Sequence, residues 1–331
     1  MMKTLKYLFI ALLFPAFVLT GCKDDPVETA KPAFEILKDY LISQDMDINH
    51  ILKDADGKKF VVAAPATDAE VAEWAGKYDI FDIRSAESFA DGHIVGAKNI
   101  AFADILTEAK KATKPILMVC YTGQTACYAT ALLRLSGYKA QALKWGMSGW
   151  NPKFDKWTPN VGNYADGHKN WSVSAAPTNK IFSNPTISST ATDGKGILSQ
   201  QITKAISNGF KKIGVEDGKY DPLENPANYF INNYFSDADY TGFGHIDGAF
   251  RINPLLLGDN SYLGIDPSKK VVTYCYTGQT SAVITAYLNV IGYDAYSLLF
   301  GMNGLYNSNP KWTKNQWGGD SNPKNLSYVT K

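Results

Sequence analysis

Short apolar runs, each followed by a helix-forming stretch, recur along the chain. Residues 79–83 (Asp-Ile-Phe-Asp-Ile) and 115–119 (Pro-Ile-Leu-Met-Val) suit buried strands, and so do residues 270–274. Good helix formers follow the last two runs, at 126–135 and 281–291, and each stretch ends at a glycine. Strand, tight loop, helix and strand in this order predict an α/β fold with a parallel sheet and crossover helices.

The N-terminal residues have a different pattern, a lysine-containing start followed by an apolar run from Tyr7 to Leu19. This run is too short to span a bilayer reliably and predicts a signal peptide. It ends in Leu-Thr-Gly-Cys, which resembles a bacterial lipobox. We therefore predict a lipoprotein signal peptide over residues 1–21, lipidation of Cys22, and a place in the cell envelope. The membrane contact would be the lipid anchor alone, on either side of the outer membrane. A plain signal peptide with a chance cysteine is the alternative.

Four segments recur in the same order, which indicates a duplicated domain. Val-Cys-Tyr-Thr-Gly-Gln-Thr at 119–125 returns 155 positions later as Tyr-Cys-Tyr-Thr-Gly-Gln-Thr. Gly-His-Ile-x-Gly-Ala, Gly-Tyr and Gly-Met-x-Gly recur at nearly the same offset. We divide the rest of the chain into four segments. Residues 22–57 are a tether with an N-terminal helix, and 58–157 are a first domain. Residues 158–196 are a linker rich in small polar residues, and 197–331 are a second domain. The helix should cover 32–43, with Phe34, Ile36, Leu37 and Leu41 on its apolar side.

Composition narrows the classes of function. The 331 residues carry 33 basic and 32 acidic side chains, so nothing indicates a nucleic-acid partner. Only three basic residues are arginine, which disfavours an arginine-rich phosphate site. Cys22 is assigned to the anchor, and three cysteines outside the cytosol cannot all pair within the chain. At least one thiol should therefore stay free.

Each repeated loop places a cysteine where a thiolate should be stabilised. Cys120 and Cys275 follow a buried strand and precede a helix, so backbone N–H groups and the helix dipole should lower their pKa values. A glycine lets the loop curl. We predict both cysteines as nucleophiles, and we predict that the residues after them bind the substrate: Tyr121, Thr122, Gly123, Gln124 and Thr125 in the first copy, and Tyr276, Thr277, Gly278, Gln279 and Thr280 in the second.

The loop Cys-x-x-Gly-x-Thr resembles that of the rhodanese family. So do the upstream Asp82-Ile83-Arg84 and Gly-His-Ile-x-Gly-Ala and the downstream stretch 143–150. The resemblance covers about 58–157 and 197–312. It implies two rhodanese-like domains, each a small central parallel sheet flanked by helices. It also implies a sulfurtransferase whose cysteine takes sulfane sulfur from a donor such as thiosulfate and passes it to a thiol or cyanide. A small sulfur-containing anion and a thiol acceptor would be the partners, with no cofactor and no metal.

Loop length separates this family from related phosphatases, which place an arginine six residues after the cysteine. Ala126 and Ser281 stand there in this chain, so phosphate chemistry is disfavoured. The chain also departs from the common rhodanese pattern, because tyrosine replaces the arginine that often follows the cysteine. In the second copy, the nearest match to Asp82-Ile83-Arg84 is 232–234 (Asn-Asn-Tyr), and Leu299 and Leu305 replace Lys144 and Trp150. We therefore place more weight on Cys120 than on Cys275.

Other chemically suggestive residues have plainer interpretations. Cys127 could resolve a persulfide, but a cysteine in an alanine-rich helix is more often a core residue. His93 and His245 fit structural turns better than bases or zinc ligands. Asp82 and Arg84 suit a structural ion pair that supports the loop. The alternatives to an enzyme are a slow or non-catalytic carrier of persulfides or anions at the cell envelope, or a thiol redox protein, which lacks support because no Cys-x-x-Cys is present.

Overall fold

The computed structural model describes residues 31–312 and 314–331. The predicted signal peptide and Cys22 lie outside these described residues. Among the helices that the structure describes, none combines the length and the apolar character that crossing a bilayer requires.

The first domain is built on a five-stranded parallel sheet. Its strands are β1 (Val61–Val62), β2 (Asp79–Asp82), β3 (Lys98–Asn99), β4 (Ile116–Val119) and β5 (Ala140–Leu143). They lie in the order β1-β5-β4-β2-β3, which puts β4 at the centre. All four residues of β4 are buried, as its apolar sequence predicts for a central parallel strand.

The second domain repeats this arrangement with four strands and adds a small two-stranded sheet. Its strands are β6 (Trp171–Ser172), β7 (Lys212–Ile213), β8 (Tyr229–Asn233), β9 (His245–Ile246), β10 (Lys270–Tyr274) and β11 (Ala295–Leu298). The order β7-β11-β10-β8 is parallel, and β6 pairs with β9 in antiparallel fashion. The structure thus confirms the predicted α/β class with parallel sheets.

Helices connect the strands and cover the sheets. They are α1 (Ala33–Ser43), α2 (Ile48–Leu52), α3 (Val71–Ala75), α4 (Ala86–Asp91), α5 (Ile105–Ala109), α6 (Gln124–Leu135), α7 (Gly146–Trp150), α8 (Gly194–Asn208), α9 (Asp221–Glu224), α10 (Asp237–Phe243), α11 (Gln279–Val290) and α12 (Met302–Tyr306). The helices α6 and α11 follow the two cysteine loops and pack against each other in one shared apolar core. This contact brings the two loops to one interface.

The segment before the first domain is part of the folded core. α1 forms where the pattern predicts a helix, and Phe34, Leu37 and Leu41 are buried, while Ile36 is only partly buried. Asp47 then accepts hydrogen bonds from the backbone N–H groups of Leu257 and Gly258. Arg134 of the first domain also donates to the Ile51 carbonyl oxygen at 3.1 Å, so residues 32–57 pack on both domains instead of forming only a tether.

The C-terminal residues, predicted as part of the second domain, return to the first. Leu326 is buried beside Trp150, whose indole N–H donates to the carbonyl oxygen of Ser327 at 2.7 Å. Val329 and His93 exchange two backbone hydrogen bonds of 2.9 Å. We call residues 324–329 the C-terminal strap. The strap corrects the predicted boundary, because it completes the core of the first domain.

The predicted linker is also packed. Gly162 and Ala165 donate backbone hydrogen bonds to the carbonyl oxygens of Asn303 and Leu305, so this stretch runs along α12. α8 begins at Gly194, within the range assigned to the linker. The polar composition of 158–196 reflects an irregular path over the surface rather than freedom from the domains.

Candidate active site

Cys120 lies where β4 ends and the loop to α6 begins. Gly123 adopts a left-handed conformation with φ +81° at the start of α6, so the loop curls around the cysteine. The N–H of Ala126 donates to Cys120 Sγ at 3.4 Å, and the N–H groups of Thr122 and Gly123 also face this sulfur. The predicted ring of backbone donors is present, and it can stabilise negative charge on sulfur.

Burial outweighs these donors in the free protein. The pKa of the Cys120 thiol lies above its ordinary value because the sulfur is removed from water. The N–H groups of the loop lower the pKa by less than burial raises it, and the nearby Asp82 carboxylate raises it further. The expectation of a lowered pKa for Cys120 is therefore wrong: the loop supplies the donors, but desolvation is the larger effect.

Cys275 has the same backbone position with a different neighbour. Its Sγ accepts the N–H of Ser281 at 3.3 Å, and its S–H donates to Ser281 Oγ at 3.7 Å. Ser281 Oγ lies 2.8 Å from Ser297 Oγ. In the first domain Ala126 occupies the position of Ser281 and offers no hydroxyl. Cys275 is also less exposed than Cys120, at 1% against 7%.

The two Gly-Met-x-Gly segments contact the backbone of the two cysteine loops. Met147 and Met302 donate backbone hydrogen bonds to the carbonyl oxygens of Cys120 and Cys275 at 2.9 and 3.0 Å. A Cβ on Gly146 would lie 2.4 Å from the Cys120 carbonyl oxygen, so only glycine permits this approach. The recurrence of this segment in the sequence thus reflects its contact with the cysteine loop.

Asp82 and Arg84 form the predicted ion pair. Arg84 donates two hydrogen bonds to Asp82 Oδ2, from Nη2 at 2.6 Å and from Nε at 3.0 Å, and both side chains are almost fully buried. Arg84 also donates to the Gly92 carbonyl oxygen at 2.7 Å. Its guanidinium lies 5.1 Å from the centre of the Tyr121 ring. The pair therefore contacts Tyr121, the residue next to the nucleophile.

Strand register corrects the predicted counterpart of this pair by one residue. Asp82 pairs with Val119, before Cys120, and Asn233 pairs with Tyr274, before Cys275. The match to Asp82 is therefore Asn233 rather than Asn232. By the same register Phe235, rather than Tyr234, takes the place of Arg84, and the second domain carries a neutral pair.

The neutral pair keeps the geometry of the charged one. Asn233 Oδ1 accepts the N–H of Phe235 at 2.8 Å, as Asp82 Oδ1 accepts that of Arg84 at 3.0 Å. The Phe235 ring stacks on Tyr276 with centroids 4.7 Å apart, as the Arg84 guanidinium covers Tyr121. The turn and the contact with the tyrosine are thus retained without charge.

Charge distinguishes the two tyrosines. A second cation, Lys156 Nζ, lies 5.7 Å from the centre of the Tyr121 ring. Tyr276 instead donates its hydroxyl to Asp239 Oδ2 at 2.5 Å. Cations therefore surround the residue beside Cys120, whereas a carboxylate contacts the residue beside Cys275. The Arg84 charge is balanced by Asp82, which itself raises the pKa of Cys120, so this difference concerns the surroundings of the tyrosines and not the sulfur atoms.

The two loop glutamines contact the opposite domain. Gln279 Nε2 donates to the Thr122 carbonyl oxygen at 3.0 Å, and Gln124 Oε1 accepts the N–H of Phe300 at 2.8 Å. Both side chains are buried. A Cβ on Gly123 or Gly278 would lie 2.2 Å from the amide of the opposite glutamine. Sequence reasoning grouped these glutamines with substrate-binding residues, and it missed the contact between the loops.

Of the loop threonines, Thr277 is buried, and the other three are partly exposed. Thr122 Oγ1 accepts from Gln124 Nε2 at 3.1 Å, and Thr277 Oγ1 accepts the N–H of Gln279 at 3.3 Å. Thr125 and Thr280 are partly exposed on the first turns of their helices. The hydroxyls of Thr122 and Thr277 thus stabilise the loops within their own domains.

An aromatic cluster that the sequence did not predict joins the domains beside the loops. Its members are buried and come from four parts of the chain: Trp145, Trp157, Phe300 and Trp317. Lys144 Nζ lies 5.5 Å from the Trp145 ring and donates to Asn315 Oδ1 at 3.0 Å. Burial lowers the pKa of Lys144. The one signal in the sequence is an aromatic residue before Gly-Met-x-Gly in both copies, Trp145 and Phe300.

The remaining candidates have structural positions. His93 and His245 are buried, and Nδ1 of each lies within hydrogen-bonding distance of a helix carbonyl oxygen, 2.8 Å from Phe89 and 3.0 Å from Tyr240. Cys127 is fully buried, and burial raises its pKa well above the usual value. Cys120, Cys127 and Cys275 are all free thiols. Over 31–312 and 314–331, no cluster of three or more histidine, cysteine or acidic side chains is arranged to hold a metal ion.

The rhodanese-like domain model matches this chain twice, over residues 66–153 and 234–308. The matched stretches contain Cys120 and Cys275, respectively. No curated protein matches the sequence.

Several solved structures resemble the chain at low identity. A rhodanese-related protein from Thermoplasma volcanium is 20% identical and covers 27% of this chain and 88% of its own, with a TM-score of 0.24. The 3-mercaptopyruvate sulfurtransferase from Leishmania major is 13% identical over 74% of this chain and 73% of its own, with a TM-score of 0.27. The thiosulfate sulfurtransferase from Pseudomonas aeruginosa is 11% identical over 82% and 67%, with a TM-score of 0.24. TM-scores this low carry no weight for substrate or activity.

Proposed function

Because this chain contains two rhodanese-like domains, we propose that it is a sulfurtransferase with Cys120 as its principal sulfur carrier. The observation that carries the proposal is the ring of backbone N–H groups around Cys120 Sγ, at the end of a central strand. Such a ring can hold a thiolate, a persulfide or the oxygens of a small anion. Phosphoryl transfer is disfavoured because Ala126 stands where a phosphate-binding arginine would be needed.

The reaction proceeds in two half-reactions. The Cys120 thiolate attacks the outer, sulfane sulfur of a donor such as thiosulfate. A bond forms between Sγ and that sulfur, the sulfur–sulfur bond of the donor breaks, and sulfite leaves with the electron pair. A thiolate or cyanide then attacks the terminal sulfur of the cysteine persulfide, and Cys120 leaves as a thiolate. The loop N–H groups stabilise the negative charge in both steps.

A slow persulfide carrier is the second candidate function. Two observations favour it: Cys120 is only 7% exposed, and burial raises the pKa of its thiol. Both reduce the supply of reactive thiolate at neutral pH. A carrier would form one persulfide per chain and release it slowly, whereas an enzyme would release sulfite repeatedly.

Sulfite release from thiosulfate, with cyanide as acceptor, tests both candidates. We expect Cys120→Ser to lose most of the turnover and Cys275→Ser to lose less, because Cys275 is more deeply buried and donates to Ser281. Cys127→Ala is the matched control, since it removes a buried thiol outside the loops. Intact mass spectrometry should show one added sulfur atom that depends on Cys120. Absence of both turnover and persulfide in the wild type rejects the proposal, and equal losses in the two serine variants reject the preference for Cys120.

We also propose that Cys22 carries a lipid anchor in the cell envelope. The proposal rests on the Leu-Thr-Gly-Cys ending of the apolar run. Two or more acyl chains anchor a protein stably, since each buried CH₂ contributes about 0.8 kcal/mol. Cys22→Ala should move the protein from the membrane fraction to the soluble fraction. Retention of the variant in the membrane would contradict the anchor.

A further inference from the structure

Gln279 belongs to the second domain but contacts the backbone that surrounds Cys120. Its Nε2 donates to the Thr122 carbonyl oxygen at 3.0 Å, across the domain interface. The Gln279 side chain is 2% exposed, so water has little access to its amide. Close packing against Gly123, where a Cβ would lie 2.2 Å from the Gln279 amide, leaves the side chain little room to move.

The contact acts on the peptide unit that faces the nucleophile. The Thr122 carbonyl and the Gly123 N–H belong to one planar trans peptide, so they point in opposite directions. A donor that holds the carbonyl toward the second domain therefore turns the Gly123 N–H toward the first. There this N–H faces Cys120 Sγ.

We propose that Gln279, although it belongs to the second domain, is a positioning residue for Cys120. It fixes the orientation of the Thr122–Gly123 peptide. The inference deepens the proposed function, and it assigns the second domain a part in the chemistry of the first. It also explains why the second loop keeps its glutamine although the charged pair around Cys275 is gone.

The reciprocal contact is not equivalent. Gln124 Oε1 accepts the N–H of Phe300, and the carbonyl of that same peptide belongs to Leu299, which accepts the Tyr220 hydroxyl at 3.0 Å. This peptide follows β11 and is not part of the loop that follows Cys275. The direct influence therefore runs from the second domain to Cys120, while Gln124 braces the interface.

The test is the pH profile of Cys120 alkylation by iodoacetamide in the full-length protein, followed by peptide mass mapping. Gln279→Met removes the donor and keeps the length of the side chain. We expect the profile to move to higher pH by about one unit, which makes alkylation about tenfold slower at a fixed pH below the pKa. A profile that coincides with the wild type overturns the inference.

Gln201→Met is the matched control. Gln201 is also buried, and its amide donates to the Ser188 carbonyl oxygen at 3.4 Å, outside both loops. The loss of a buried hydrogen bond is thus common to both variants, but only Gln279→Met should move the profile. An equal shift in the control overturns the assignment, because it reports general loosening. If Gln279→Met does not fold, Gln279→Leu also removes the donor without adding a charge and should give the same shift.

Alkylation does not require sulfur transfer, so the two proposals fail separately. A shifted profile in a protein without turnover leaves the positioning role intact and rejects the enzyme. Where turnover is measurable, we expect Gln279→Met to lower kcat for sulfite release more than it raises KM, since it acts on the nucleophile. A contact that only stabilises the interface, without orienting the Thr122–Gly123 peptide, would leave the alkylation profile of Gln279→Met no different from that of Gln201→Met.

Discussion

At the scale of single residues, the three thiols differ in burial and in partners although all are free. Cys120 retains 7% of its exposed surface, Cys275 retains 1% and Cys127 none. Cys127 lies within the shared core, where burial raises its pKa well above the ordinary value. Reactivity toward a reagent in solution requires both access and thiolate, so the three should separate cleanly in the native protein.

We predict that iodoacetamide labels Cys120 first, Cys275 more slowly and Cys127 only after unfolding. Because the pKa of Cys120 is raised, less of it is thiolate at neutral pH than in an unfolded chain. Its rate should therefore still increase above about pH 10, where an ordinary cysteine with a pKa of about 8.5 has reached its plateau. Peptide mapping after timed quenching measures this order, and the denatured protein is the control. A Cys120 plateau below pH 8 would contradict the burial argument.

At the scale of elements, the turns after β2 and β8 have the same backbone geometry but are stabilised by different side chains. The first uses the buried Asp82–Arg84 pair, and the second uses Asn233 and Phe235 in matching positions. A buried charge that loses its partner costs about 3–5 kcal/mol, whereas a neutral replacement of the whole pair is often tolerated. The second domain thus shows which neutral residues can replace the charged pair in the turn of the first domain.

We predict that Asp82→Asn alone destabilises the protein by about 3 kcal/mol, because it leaves Arg84 charged and buried. Asp82→Asn with Arg84→Phe, which copies the second domain, should recover most of that loss. Denaturant unfolding of the single and double variants measures the coupling. The single change should also lower the pKa of Cys120, since the Asp82 carboxylate raises it. If the double variant is less stable than Asp82→Asn, the two turns are not equivalent.

The hydrophobic pattern of the sequence predicted strands and helices well where the local sequence determines their bounds. The strand 270–274 has the predicted bounds, and the predicted strands 79–83 and 115–119 and the two loop helices differ from the structure by one or two residues at their ends. The pattern could not set the register of β8, because Asn232 and Asn233 are both asparagine and both buried. Pairing with Tyr274 on the neighbouring strand decides which one replaces Asp82, and such pairing is not a local property.

The candidate site was predictable only in part for the same reason. The cysteines and the loop glycines are visible in the repeat because they meet a local backbone requirement. The lowered pKa was expected from local donors, but burial comes from distant elements. The reach of Gln279 to Thr122 depends on the packing of α6 against α11, which brings together residues 157 positions apart. The aromatic cluster likewise assembles from four distant segments.

At the scale of the whole molecule, the chain does not separate into two independent halves. Residues 32–331 form one compact unit, with α1 packed on α8 and the C-terminal strap packed on the first domain. The stability of the first domain should therefore depend on residues outside its own sequence range. Leu326 is the anchor of the strap, because it is buried in the core with Trp150 and Phe154.

We predict that Leu326→Ala destabilises the protein by about 2–5 kcal/mol, the usual cost of truncating a buried leucine. Val329→Ala, in the same strap but 40% exposed, is the matched control and should change stability little. Denaturant unfolding, followed by the fluorescence of the seven tryptophans, measures the change in the free energy of unfolding. Equal and small effects of both variants would show that the strap does not contribute to the core of the first domain.

The strap has a consequence for how the protein is made. Trp150 leaves the ribosome long before Ser327, its hydrogen-bond partner 177 positions later in the chain. At ordinary rates of translation, about 5–20 residues per second, that interval is roughly 10–35 s. During that interval the first domain lacks the strap residues that cover part of its core, and the uncovered apolar surface is accessible to chaperones and proteases. A message truncated near its end would therefore yield a first domain that is fully translated and still incompletely folded.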